Sequence, residues 1–196
     1  MDTNTHPLAD DFRALIATPD LPDLGSLPRP SRLSADELES RLGAFFAAKA
    51  VAAPLQPLLR SAALLWHDHL DPCHQLSRPI PTTDGNFLHG IMHRREGAYA
   101  NAKSCFHRVG RHGAFREIAR QATRSLTSER QNELLARLVP NGLWDPFALI
   151  DICEQVAGAG EADPRRPALA KVQEIEFNVL LAQMFVDAGR PSSTAD

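Results

Sequence analysis

The chain lacks what a disulfide scaffold, a membrane protein or a β-sheet fold would need. Its three cysteines, Cys73, Cys105 and Cys153, are odd in number, widely spaced and free of any CxxC pair, which fits a reducing compartment better than a cross-linked secreted domain. No apolar run approaches the roughly 18 residues of a membrane span. The opening MDTNTHPLADDF carries acids where a signal peptide carries a basic segment. A soluble, cytoplasmic protein without a membrane partner is the expectation. No stretch alternates apolar and polar residues over a useful strand length, and neither an HExxH metal signature nor a helix-turn-helix module is present. The net charge is only −3, although residues 89–128 hold eight Arg and Lys against Glu96 and Glu117 alone. Within that stretch Arg116, Arg120 and Arg124 form one helical row, but without interleaved aromatics beyond Phe115, so a nucleic-acid partner is not expected.

What the chain does have is helical periodicity in a length suited to one domain. Around residues 1–33, Pro19, Pro22, Pro28 and Pro30 deny the backbone the donors and dihedrals of a helix, leaving a mostly extended arm with a short helix over Leu8–Ala17. A single helical domain is expected over 34–189, with a disordered tail at 190–196. Ser34 and Glu37 have capping-box spacing and open a helix to about Ala50, apolar at Leu38, Leu42, Phe45 and Phe46. From Leu55 the run LQPLLRSAALLWHDHL reads as one long helix that Pro72 should kink or restart. Asp84 is placed to cap a helix from Gly85 to about Glu96, and Tyr99–Val109 forms the next. Phe115–Leu126 follows, then a helix opened by a Ser128/Gln131 capping box, a Pro-Asn-Gly turn, a helix capped by Asp145-Pro146 and ended by Gly158, and a last one after Asp163-Pro164. The predicted fold is all-α, a compact bundle or short solenoid of about eight helices.

The densest signal lies between Trp66 and His112, which holds seven of the eight histidines; the eighth, His6, falls in an N-terminus expected to fray. Gly90, Gly97, Tyr99, Ala102 and Phe106 give G-x6-G-x-Y-x2-A-x3-F, which resembles a tetratricopeptide helix hairpin, with small residues where two helices touch and aromatics filling the gap. The resemblance covers about 30 residues and implies a scaffold for protein interaction. The larger block WHDHLD…LHGIMHRREG…NA…F..VG.H is similar to a family of bacterial and fungal proteins of uncharacterised function, over about 47 residues. That likeness implies no activity and assigns no role to any residue.

Helix geometry sorts the histidines. In an unbroken helix His67 and His69 point about 200° apart and cannot share an ion, whereas His67 with His74, and His89 with His93, fall on common stripes. Asp71 lies on the first stripe and Glu96 on the second. If the two helices are neighbours, His67, Asp71, His74, His89 and His93 form a metal-ligand set suited to Zn, Fe, Mn or Ni, and the same histidines with Glu96 are the candidates for acid/base work. The alternative is a metal-free polar interior or ligand pocket in which each imidazole donates to a carbonyl or carboxylate. Arg94 and Arg95 diverge on a helix, so one can meet a small anionic ligand while the other is solvated or salt-bridged; Tyr99 and Asn101 are further ligand-binding candidates, with helix capping the plainer role for Asn101. Two functions follow: a His-rich site for a divalent metal or small anion, catalytic or not, and a non-enzymatic interaction module with structural histidines.

Overall fold

The computed structural model describes residues 6–189, and among these the chain is all-α, with ten α-helices and one 3-10 turn. The helices are α1 (Pro7–Ile16), α2 (Ala35–Lys49), α3 (Gln56–Trp66), α4 (Leu70–Ser77), α5 (Thr83–Arg95), α6 (Tyr99–Val109), α7 (Ala114–Ser128), α8 (Asn132–Leu138), α9 (Pro146–Ala159) and α10 (Arg166–Ala188). The expectation for the tail 190–196 lies outside the described residues. His6 is not frayed: it precedes α1 and stacks on Phe185 with ring centroids 5.5 Å apart.

The count exceeds eight partly because the run from Leu55 is two helices. The break lies at His67–His69, and not at Pro72 itself. A proline ring clashes with the carbonyl four residues earlier, which here belongs to Asp68. The chain answers by leaving the helix at that point: Asp68 takes φ +61°, and α4 restarts at Leu70, so that Pro72 sits in a first turn where its missing N–H costs nothing.

Several caps follow the sequence. Ser34 and Glu37 close a reciprocal capping box, and the Asp145 carboxylate accepts from the amides of Phe147 and Ala148. Others differ. Thr82, not Asp84, caps α5 by accepting from Gly85 N–H, because Asp84 is drawn to His112, 2.8 Å away. The Ser128/Gln131 box does not form; Ser128 ends α7 and donates to the Ser125 carbonyl. Gly160, not Gly158, receives the end of α9.

The core gathers around α10, whose residues Leu169, Val172, Val179, Leu180, Leu181 and Met184 are buried. It meets α1 on one side and α7 on another. α3, α4, α5 and α6 form a continuous run in which each helix packs on the next, and α9 packs on α6. Burying this apolar surface supplies the main drive for folding, roughly 25 cal/mol per Å². Between α5 and α6 the approach is close: a Cβ on Gly90 would lie 2.7 Å from the Phe106 ring.

Charge is also buried. Arg94 is fully enclosed, its guanidinium 2.5 Å from Glu176 and 3.4 Å from Gln173 on α10. Asp68, whose left-handed backbone aims its carboxylate inward, accepts from Arg29 N–H and Nε at 3.0 and 2.9 Å and from Arg95 at 2.6 Å. Burial alone would raise the Asp68 pKa; the Arg29 amide and the Arg95 and Arg29 guanidiniums outweigh it and hold the carboxyl below its ordinary range. Arg29 further reaches Thr18, the Asp20 carbonyl and the Trp66 carbonyl, so this one residue ties the proline-rich segment to the helical body.

Candidate metal centre

α4 and α5 run side by side and place His74, His89 and His93 together. His89 and His93 share a face of α5 because they are four residues apart; their rings stack at 4.4 Å between centroids. His74 reaches them from α4, with ring centroids 4.8 Å from His89 and 4.9 Å from His93. One ligating nitrogen from each of the three lies within 4.8 Å of the others. Around a tetrahedral ion with Zn–N near 2.0–2.1 Å such nitrogens would stand about 3.4 Å apart, against the 4.8 Å within which they lie here.

The surroundings fit neutral imidazoles. His93 Nδ1 pairs with Glu96 Oε2 at 3.2 Å, three residues on at the C-cap of α5, so Nε2 is the nitrogen that this pair leaves available. His89 Nε2 is buried and has no hydrogen-bond partner. Burial, followed by the charges of His93, His74, Arg108 and Arg78, pushes the His89 pKa down to about 4. Burial also lowers that of His93, against the Glu96 carboxylate pulling it up. An imidazole ligates through a free lone pair, so a low pKa and an unsatisfied ring nitrogen both favour a metal over a proton.

The remaining sequence candidates are placed elsewhere. His67 is not beside His74, because the stripe that joined them required an unbroken helix. It turns instead to the arm, where its Nδ1 accepts from Leu33 N–H at 3.0 Å, and its Nε2 faces the Ile16 carbonyl without closing a hydrogen bond of normal geometry. Burial, then Arg29, lowers its pKa to about 4. Asp71 is exposed on the first turn of α4 and lies, with Glu96, along a depression of about 280 Å³ that also includes Ser26, Arg32 and Leu70. Arg94 and Arg95 do diverge, but both are buried and ion-paired, Arg94 with Glu176 and Arg95 with Asp68. Arg95 also donates to the carbonyls of Leu65 and Gly25. Tyr99 faces the α9–α10 side, beside Cys153, Glu154 and Arg166, and Asn101 is exposed on α6 without a capping role. Of the basic row on α7, Arg120 is bound to Glu117. Cys73 is buried against Ser61, and burial pushes its thiol up to about 11.

Two residues beside the cluster escaped the sequence reading. Arg78 lies one turn after His74 on α4, a spacing that was visible. Arg108, from α6, donates from Nε to Asn86 at 2.8 Å, and Asn86 precedes His89 by three residues on α5. Only the α5–α6 packing brings it there. Compared with known families, curated proteins and solved structures, the chain matches none.

Proposed function

We propose that this protein binds one divalent metal ion through His74, His89 and His93, with Glu96 orienting His93 from behind. The observation that carries this reading is the convergence of one ligating nitrogen from each of three histidines within 4.8 Å, at a place where His89 also keeps a buried Nε2 without a hydrogen-bond partner among the described residues. A buried polar atom left unsatisfied costs about 1–3 kcal/mol, so its presence asks for a ligand. Three nitrogen donors suit Zn(II) first, then Fe(II) or Ni(II); Mn(II) prefers oxygen and fits least. Three protein ligands leave a coordination position open, as in catalytic rather than structural zinc sites. There the ion would act as a Lewis acid and lower the pKa of a bound water.

Untagged protein freed of metal with a chelator is titrated with Zn(II) and its content measured. One ion per chain is expected, with stability raised by about 2.7 kcal/mol at a hundredfold excess over Kd. His89→Ala should abolish both effects. Absence of stoichiometric binding, or an unchanged melting temperature, would sink the proposal.

A second reading, a non-enzymatic interaction module built on a tetratricopeptide-like hairpin, is supported by the close approach of Gly90 to Phe106 across α5 and α6. It expects the three histidines to be replaceable by apolar residues without loss of partner binding. A partner lost together with the metal would count against it.

A further inference from the structure

The histidine strip is polarised along its length. At one end, on the first turn of α4 and at the C-cap of α5, stand Asp71 and Glu96, lining one depression together with Arg32. In the middle are His74, His89 and His93. At the other end stand Arg78, four residues after His74, and Arg108, held beside Asn86 and so one turn before His89. The Arg108 guanidinium also donates to Cys105 Sγ at 3.0 Å, which fixes its plane and leaves Nη1 uncommitted among the described residues. The Arg78 side chain makes no hydrogen bond among them.

Two guanidiniums beside a cation site are a conflict. Each opposes the ion electrostatically, and the positive field of both already reaches His89. An anion lodged between them and the ion removes the conflict, because it is attracted by all three cations. Guanidinium is suited to that task, presenting paired donors in the spacing of carboxylate or phosphate oxygens.

We propose that the open position of the metal site takes a small oxyanion, a carboxylate or phosphate group, held between the ion and the guanidiniums of Arg78 and Arg108. The proposal rests on the metal reading above and adds the ligand class to it. Its consequence is reciprocal: oxyanion and metal each tighten the other's binding, by the same factor.

The test uses Co(II), whose visible absorption reports its coordination. Co(II) is titrated into the full chain at constant ionic strength in chloride, in sulfate as a soluble phosphate mimic, and in acetate. Wild-type protein should bind Co(II) about fivefold tighter or more in sulfate or acetate than in chloride. The R78Q/R108Q double variant should lose that gain, and in chloride it should bind Co(II) at least as tightly as wild type. Which of sulfate and acetate acts more strongly separates the two ligand sources. Both arginines are exposed, and thermal melting of the variant verifies that it folds. If Co(II) binds one per chain, is lost in His89→Ala, and is indifferent to oxyanion, this inference is overturned while the metal reading stands. If no Co(II) binds in any buffer, both fall.

Discussion

His67 and His69 hold the two polar ends of a single residue, Leu33: its N–H donates to His67 Nδ1 at 3.0 Å and its carbonyl lies 2.8 Å from His69 Nε2. The HxH pair that an unbroken helix would splay apart is thus brought to one target by the break at Asp68. Its target is backbone, and the pair is a pin for the arm. His67→Ala should therefore cost about 1–3 kcal/mol by leaving the Leu33 amide unpaired, measured by denaturant unfolding, while metal stoichiometry stays unchanged. Loss of metal on this substitution would place His67 in the site after all.

Asp68 binds the arm to the body through charge. Asp68→Ala leaves the Arg29 and Arg95 guanidiniums buried without their carboxylate, and breaking such a pair from one side costs about 3–5 kcal/mol. Urea titration should show the midpoint fall accordingly. A loss under about 1 kcal/mol would mean that water replaces the carboxylate.

Gly90 is a position where two terms of opposite sign compete. Alanine there gains about 1 kcal/mol of helix propensity, but its Cβ meets Phe106 at 2.7 and 2.9 Å, and overpacking costs about 1–3 kcal/mol. Phe106 is buried and has little room to yield. Gly90→Ala should destabilise, and Phe106→Leu in the same chain should recover part of the loss. A melting temperature raised by Gly90→Ala alone would overturn this packing account.

Stability should fall with acid in a defined window. His67 and His89 have folded pKa values near 4 against 6.5 for an ordinary imidazole. Between those values the unfolded chain binds more protons than the folded one. Stability is therefore full above pH 6.5 and declines as pH falls to about 4, by up to about 1.4 kcal/mol per pH unit for a fully enclosed site such as His67. Metal should steepen the decline, since protons compete for His89 and His93. Unfolding curves at pH 7, 5.5 and 4.5, with and without Zn(II), read both effects. A flat profile between pH 6.5 and 4.5 would contradict the burial of these rings.

The sequence by itself determined the helical class, most helix boundaries, the Ser34 and Asp145 caps, and the pairing of His89 with His93, because each depends on residues within one turn or one loop of each other. His74 was legible too, as a neighbour from the next helix back. What only the tertiary structure decided is where the long-range polar groups spend themselves. Pro72 announced a disturbance, but the place of the break depended on its clash at Asp68 and on two arginines, Arg29 and Arg95, that meet the Asp68 carboxylate there. His67 left the stripe for Leu33, Arg94 found Glu176 eighty-two residues away, and Arg108 arrived beside the histidines from α6. A local pattern fixes which face of a helix a side chain is on. Which partner waits on that face is set by how the helices pack, and burial makes that partner obligatory.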